Sequence, residues 1–243
     1  MVGSNGSQEV FQRILDHKFR ISSVERHTVV FEQEDDPLKL FQAIGERYIG
    51  HFEVDDVNIF LYQNLLRWAN GDREMKALDP HSGNIVNGRL NKGIYISGAT
   101  GTGKSLALKL LAIYSSILGI RISFNPDTEE RRPLFWNAIR TDEIVEDFIC
   151  TQSIKKYKSR KILCIDEVGG EQLEAVAMGN RLNVIQSLLE HRGDDLSSIT
   201  LITSNLPITH ELTRDFYGDR VVSRLQEMCN YFVLGGKDRR IIQ

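Results

Sequence analysis

The chain has 243 residues and a net charge of −3, and 41% of its residues are hydrophobic and 26% charged. This composition is typical of a globular protein with one sizeable core, and it excludes a strongly basic nucleic-acid-binding domain, so any contact with DNA would be local. No apolar run approaches the roughly 18 residues that a membrane span needs, and residues 1–7 lack the features of a signal peptide. These observations predict a cytoplasmic protein without a membrane contact.

The first part of the chain, residues 1–54, is predicted to be a small N-terminal helical element. Its first residues are rich in Gly, Ser and Asn and are expected to be mobile. Asp36-Pro37 is a helix-start signal and precedes apolar residues at helical spacing. The element is a candidate for binding a partner.

A second helix is expected to follow this element. Its cap is predicted at Asp55 or Asp56, and Asn70-Gly71 is predicted to end it in the left-handed conformation. Residues 71–92 have the Gly, Asn, Asp and Pro content of a long surface loop.

From residue 92 onward, strands alternate with helices, which is the signature of a parallel sheet covered on both faces. Residues 55–243 are therefore predicted to form one three-layer α/β domain. Strands are expected at 94–96, 120–124, 134–139, 162–165, 199–203 and 231–234, and helices at 104–118, 141–150, 180–191 and after Thr209.

The segment between the first strand and the first helix of this domain matches the pattern G-x-x-x-x-G-K-[ST]. Its glycines let the backbone curl so that successive N–H groups point at phosphate oxygens, and the following helix adds its positive N-terminal end. Lys104 is expected to bridge the β- and γ-phosphates of ATP or GTP, and the Ser105 hydroxyl is expected to bind Mg²⁺. The predicted phosphate-binding residues are Gly98, Ala99, Thr100, Gly101, Thr102, Gly103, Lys104 and Ser105.

Two consecutive carboxylates, Asp166 and Glu167, end an apolar run at the edge of the sheet where ligands of open α/β sheets bind. Asp166 is the candidate Mg²⁺ partner opposite Ser105. Glu167 is placed to polarise an attacking water, a general-base role worth roughly 10²–10⁴-fold in rate. An acidic pair after a strand also commonly caps a helix, but the preceding phosphate loop favours the catalytic interpretation.

Two later features add candidates to the same site. Asn205 ends a third apolar strand and is a candidate for orienting the water and sensing the γ-phosphate, although asparagine also favours turns. Arg220 and Arg224 are four residues apart, which places them on one face of a predicted helix. One of them could reach the phosphate of a neighbouring subunit.

The order and spacing of four motifs resemble those of AAA+ ATPases of the DnaC-type helicase loaders and the IstB-type transposition helpers. The motifs are Gly-Ala-Thr-Gly-Thr-Gly-Lys-Ser, Ile-Asp-Glu, Thr-Ser-Asn-Leu-Pro and Gly-Asp-Arg-Val-Val-Ser-Arg-Leu. The resemblance implies an AAA+ fold, with ATP and Mg²⁺ as cofactors. It also implies that Asp166-Glu167 is the Walker B pair, Asn205 is sensor 1 and Arg224 is the arginine finger, with Arg220 the weaker alternative.

The chain departs from the family pattern at both ends of the match, which covers residues 52–243. Arg224 is followed only by residues 225–243, whereas three helices of average length need roughly 35 residues, so no full C-terminal helical lid is expected. Arg239-Arg240 could form a structural pair, a DNA contact or a subunit contact. Residues 1–54 match no helicase-binding element, so the partner stays open.

The resemblance implies an ATP-hydrolysing protein that assembles with copies of itself, because Arg224 would complete the site of the next subunit. Such an arginine is worth about 10³–10⁵-fold in rate in P-loop enzymes. The expected role is loading or remodelling a replicative DNA helicase, or a related machine, on single-stranded DNA. The alternative is a nucleotide-switched scaffold that regulates transposition proteins. A small-molecule kinase is disfavoured because it needs neither a water-activating glutamate nor a sensor asparagine.

Overall fold

The computed structural model describes residues 25–27, 36–124, 130–170, 175–177, 180–195 and 197–239. The predicted mobility of the first residues lies outside this part of the chain. The helices are α1 (Pro37–Ile49), α2 (Ile59–Asn70), α3 (Lys104–Ile117), α4 (Thr141–Thr151), α5 (Lys155–Lys158), α6 (Val184–Asp194) and α7 (Glu211–Met228). The strands are β1 (Glu25–His27), β2 (Lys76–Leu78), β3 (Ile85–Asn87), β4 (Gly93–Ser97), β5 (Arg121–Ser123), β6 (Arg132–Pro133), β7 (Ala138–Arg140), β8 (Ile162–Val168), β9 (Ala175–Ala177), β10 (Asn180–Leu182), β11 (Ile199–Ser204) and β12 (Cys229–Val233).

The main sheet has seven strands in the order β3-β2-β12-β4-β11-β8-β7. The five strands from β12 to β7 are parallel to one another, and β2 and β3 extend the sheet as an antiparallel hairpin. Because parallel strands end at the same edge, the segments that follow β12, β4, β11, β8 and β7 all leave the sheet there. The predicted α/β fold with a parallel sheet is confirmed.

Helices cover both faces of this sheet. Because alternate residues of a strand point to opposite faces, neighbouring residues of one strand enter different cores. Ile94 and Ile96 belong to the core that includes α1, α2 and α3, whereas Tyr95 belongs to the core that includes α4, α6 and α7. Phe41 and Phe52, which precede the domain boundary predicted between residues 54 and 55, pack in the first of these cores. The boundary itself stays a prediction.

Several predicted helix ends agree with the structure. α1 begins at Pro37, and the Asp36 side chain caps it by accepting the Leu38 amide hydrogen at 2.9 Å. α2 ends before Gly71, whose φ of 75° places it in the left-handed region. The start of α2 was predicted too early, because Asp55 and Asn58 first form a turn in which the Asp55 carboxylate accepts the Asn58 amide hydrogen at 3.1 Å.

The prediction of a loop over residues 71–92 is wrong in part, since this stretch contains the β2–β3 hairpin. Its polar residues make the hairpin turn: the Asp79 carboxylate accepts hydrogen bonds from the Ser82 amide at 2.7 Å and the His81 amide at 3.2 Å. Gly83 has a positive φ of 71° in the same turn. Composition therefore identified the turn but not the short strands on either side of it.

Three other predicted elements differ from the structure. The run at 120–124 yields β5, which pairs with β1 and β6 in a separate antiparallel sheet. In the run at 134–139, β7 occupies only the end and extends to residue 140. The helix expected at 180–191 begins only at Val184, after β10, because Asn183 caps it by accepting the Gln186 amide hydrogen at 2.9 Å.

Residues 234–239 follow β12 without forming a helix. No helix in the described ranges is long and apolar enough to cross a membrane.

Candidate nucleotide site

The predicted phosphate loop connects β4 to α3 at the carboxyl edge of the sheet. Gly101 and Gly103 have φ values of 80° and 101°, which glycine adopts without the penalty that a side chain would bring. The buried Thr102 hydroxyl donates to the Ala99 carbonyl at 2.9 Å. The loop thus forms a tight curl, and α3 begins directly after it at Lys104.

Lys104 connects the loop to the next strand of the sheet. Its Nζ donates to the Gly98 and Ala99 carbonyls, both at 2.8 Å, and to the Asn205 Oδ1 at 2.9 Å. Asn205 follows β11, the neighbour of β4, so the strand order brings these two predicted residues together. The Lys104 ammonium is thereby fixed at the start of α3 with only 8% of the residue exposed.

Ser105 and Asp166 are also in direct contact, with the Ser105 Oγ donating to the Asp166 Oδ1 at 2.6 Å. Thr203 of β11 orders this pair: its hydroxyl donates to the same carboxylate oxygen and accepts the Glu167 amide hydrogen at 3.0 Å. A hydroxyl and a carboxylate fit Mg²⁺, which prefers oxygen ligands and usually takes one or two protein ligands beside substrate phosphates. We call Lys104, Ser105, Asp166, Thr203 and Asn205 the phosphate-site cluster.

Glu167 follows Asp166 in β8 with an unusual backbone. Its φ of 61° lies in the left-handed region, which costs an L-residue roughly 1–2 kcal/mol. The Glu167 carbonyl accepts the Gly170 amide hydrogen at 3.0 Å and the Thr141 hydroxyl hydrogen at 3.2 Å, and these bonds hold the residue in that conformation. Strained backbone that is held in place is common at functional sites.

The Glu167 side chain is half exposed and pairs with Arg140, the last residue of β7, with Oε2 and Nη2 3.1 Å apart. Arg140 also pairs with Asp142 at 3.0 Å. The hydrogen bond to Asp142 and the charge of Glu167 raise the pKa of Arg140, so the guanidinium stays charged. The candidate general base is therefore in an ion pair within its own chain.

A cleft of about 550 Å³ lies over these residues, a volume in the range of small-molecule sites. Lys104, Ser105, Glu167 and Asn205 are among the polar residues that line it. It is also lined by residues near α1 and α2, namely Ile49, His51, Phe52, Glu53 and Tyr62, and by Arg239. A cleft that combines charged and polar groups with the aromatic rings of Phe52 and Tyr62 suits a ligand with a phosphate chain and a flat base.

Arg224 and Arg220 do not line this cleft. Both lie on α7 and bind the Asp194 carboxylate at the end of α6, Arg224 at 2.6 Å and Arg220 at 3.2 Å. Arg224 also pairs with Glu227 at 2.8 Å, and its hydrogen bond to Glu227 and the charge of Asp194 raise its pKa. We call these four residues the Asp194 patch.

Sequence reasoning missed four of the residues that shape these sites. Thr203 had a usable signal, because it lies near the end of β11, two residues before Asn205. Arg140 ends a strand beside β8, but its strand was predicted too early. The ion pairs of Asp194 and Asp55 had no signal in the local sequence, since their partners Arg224 and Arg239 lie far along the chain.

The strand order and the curled loop before α3 define an α/β protein of the P-loop class. No protein-family model matches the chain, and no curated protein matches its sequence. Among solved structures, a protein from Streptococcus pyogenes serotype M3, provisionally assigned as a primosome component, is similar with a TM-score of 0.51. It is 19% identical, and the match covers 79% of this chain and 87% of that one, a similarity that concerns the fold.

Two other solved structures are more distant. The DnaC helicase loader has a TM-score of 0.46 at 14% identity, with 78% of this chain and 99% of that chain covered. The replication initiator DnaA, bound to AMPPCP and single-stranded DNA, has a TM-score of 0.46 at 17% identity, with 76% of this chain and 49% of that chain covered.

Proposed function

We propose that the protein binds ATP with Mg²⁺ and hydrolyses it. The observation that carries this proposal is the phosphate-site cluster, in which the loop after β4 contacts the residues that end β8 and β11. Lys104 bonds to Asn205, and Ser105 bonds to Asp166, so the groups needed for a phosphate chain and its metal ion converge without any other chain.

Each group has a task that follows from its chemistry. The Lys104 ammonium and the N-terminus of α3 offer positive charge to the β- and γ-phosphates. Ser105 and Asp166 would hold Mg²⁺, which when bound neutralises charge on the phosphate oxygens. Asn205 orients the water, and Glu167 accepts its proton once the carboxylate leaves Arg140.

Binding and hydrolysis are tested separately. Calorimetry with Mg·ATP should show binding by the wild type and a loss of about 100-fold or more in affinity for Lys104→Ala, because the charge opposite the phosphates is gone. Phosphate should be released from ATP with no acceptor present. A product that forms only with an added small-molecule acceptor would instead identify a kinase.

The proposed site is completed by a neighbouring copy. Arg224 and Arg220 are held at the Asp194 patch and do not line the cleft of their own chain, which supports a contribution to another subunit. Arg224 is the preferred residue, since it is one-third exposed and its stem packs against Gly193, where a Cβ would collide with it. Light scattering should show larger particles with ATP than with ADP, whereas a monomer under both conditions would refute this arrangement.

The client of this ATPase is proposed to be a replicative helicase or a related DNA-processing machine on single-stranded DNA. The motif order that resembles the DnaC-type loaders supports this role, and the fold shared with the Streptococcus protein is compatible with it. Helicase loading onto single-stranded DNA should depend on ATP and on Lys104. A protein that assembles on ATP but loads no helicase would favour the scaffold alternative from transposition.

A further inference from the structure

The chain after β12 runs directly along the phosphate loop. β12 is parallel to β4 and next to it, so both strands deliver their following segments to the same edge of the sheet. The Leu234 amide donates to the Ser97 carbonyl at 2.8 Å, and the Arg239 amide donates to the Gly101 carbonyl at 2.9 Å. Residues 234–239, which we call the tail, are thus fixed to the end of β4 at one end and to the phosphate loop at the other.

Two loop glycines are needed for this approach. A Cβ on Gly98 would collide with the Leu234 carbonyl, and a Cβ on Gly101 would collide with the Asp238 carboxyl group. At Gly98 the tail therefore approaches the loop more closely than a side chain would allow. Of the tail residues, Arg239 lines the cleft that a nucleotide would enter.

The Arg239 side chain leaves the tail and reaches the turn before α2, close in the chain to Phe52 and Glu53, which line the cleft. Its Nη2 donates to the Asp55 Oδ2 at 2.6 Å, while its Nε is buried without a hydrogen-bond partner among the described residues. Burial would raise the pKa of Asp55, but the hydrogen bond and charge of Arg239 and the amides of Asn58 and Val57 lower it. Asp55 is thus a carboxylate that the turn before α2 holds in place.

The Arg239 guanidinium lies close to aromatic residues of the cleft. Arg239 and Asp55 both act electrostatically on the hydroxyl of Tyr62, whose pKa burial raises to about 12, and Tyr62 lines the cleft together with Phe52. The phosphate loop already has its own cation in Lys104. A planar guanidinium beside an aromatic wall suits a flat base, because guanidinium groups stack on aromatic faces.

We propose that Arg239 is a nucleotide-binding residue that covers the base and ribose, with Asp55 as the residue that positions it. Arg239 is the residue of the tail that lines the cleft, so its guanidinium would lie against the base or ribose of a bound nucleotide. This inference rests on the proposed ATP binding and names a part of the same site.

The test compares three ligands, ATP, ADP and tripolyphosphate, by calorimetry in the presence of Mg²⁺. Arg239→Ala should weaken ATP and ADP by the same factor, about tenfold, and leave tripolyphosphate unchanged, because the contact is to the nucleoside. Asp55→Asn should weaken ATP and ADP by a smaller factor. Lys237→Ala is the matched control from the same tail and should bind all three ligands as the wild type does.

Other outcomes overturn the inference. Wild-type affinity of Arg239→Ala for ATP and ADP would show that the side chain has no part in binding. A loss confined to ATP, or a loss shared by tripolyphosphate, would make Arg239 a phosphate contact. If the wild type binds no ATP, or Lys104→Ala binds as well as the wild type, the proposed function itself fails. Equal thermal unfolding of the Arg239→Ala and wild-type proteins establishes that the variant is folded.

Discussion

The phosphate-site cluster and the Asp194 patch both hold charged side chains together, but in different surroundings. In the cluster, Lys104 is 8% exposed and Thr203 is fully buried, and three strands of one sheet fix the geometry. In the patch, Asp194, Arg220 and Glu227 are about half exposed or more, and two helices carry the residues.

This difference separates what one chain can do alone from what it can offer a neighbour. Exposed ion pairs contribute only about 0–1 kcal/mol each, so the arginines of the patch can exchange their carboxylate partners for a phosphate at little cost. The cluster has no such freedom, since moving Lys104 would break three hydrogen bonds at once. Under the proposed function, nucleotide binding would belong to the single chain and rapid hydrolysis to the assembly.

The largest effect is expected from Arg224→Ala. If this arginine acts on the neighbour's phosphate, hydrolysis by the assembled protein should fall about 10³-fold or more, while ATP affinity stays unchanged. Phosphate release measured across a range of protein concentrations checks this, because the wild-type rate per chain should rise with concentration and that of the variant should not. The matched control is Arg214→Ala, which removes an exposed arginine of the same helix that pairs with Asp219.

Mixing two inactive variants tests whether Arg224 of one chain acts at the phosphate-site cluster of another. Lys104→Ala retains Arg224, and Arg224→Ala retains an intact phosphate-site cluster, so a mixed assembly should contain some complete sites and recover activity. No recovery in an assembly shown to be mixed would place both residues in the same chain's site and remove the distinction between the two regions.

Glu167→Gln should reduce hydrolysis by about 10²–10⁴-fold, because the amide cannot accept the proton of the attacking water. ATP binding should persist, since the phosphate-site cluster does not include this side chain. Single-turnover phosphate release measures the chemical step directly. Hydrolysis at the wild-type rate would reassign Glu167 to a structural role at its left-handed backbone position.

A smaller change is expected from Arg140→Ala, which frees the Glu167 carboxylate from its ion pair. Because the pair is half exposed and weak, basal hydrolysis should rise by about two- to fivefold. Arg140→Lys keeps the charge and should stay near the wild-type rate. A fall in rate for Arg140→Ala would mean that the pair positions the glutamate and does not restrain it.

The sequence predicted the cluster better than the patch because of how each is built. Asp166 lies near the end of a parallel strand, and Lys104, Ser105 and Asn205 follow such strands. Because parallel strands end at one edge, recognising the strands was enough to bring these residues together. Arg220 and Arg224 were correctly placed on one helical face, but their shared partner Asp194 lies on another helix. No local pattern encodes a contact between two helices at this distance in the chain.

In the fold, too, features set by local sequence were predicted and features set by distant contacts were not. Long apolar runs and helix-end signals at Asp36-Pro37 and Gly71 were sufficient for the central sheet and for α1 and α2. The short strands β2, β3 and β5 were missed or misplaced because their pairing partners, and not their own residues, make them strands. The tail on the phosphate loop was also missed, since it depends on β12 lying beside β4.

The smallest effect is expected from Asp194→Asn, which weakens the patch without removing an arginine. The free energy of unfolding should fall by less than about 1 kcal/mol, because the lost pairs are exposed. Hydrolysis by the assembly should fall only about two- to threefold, since Glu227 still binds Arg224 and the two lost pairs are exposed and weak. Chemical denaturation and phosphate release measure the two effects. Asp219→Asn, which removes the carboxylate of an exposed ion pair with Arg214, is the control. A loss as large as that of Arg224→Ala would show that Asp194 holds Arg224 in the position from which it acts on the neighbouring subunit. The side chains of the patch would then be as firmly positioned as those of the phosphate-site cluster.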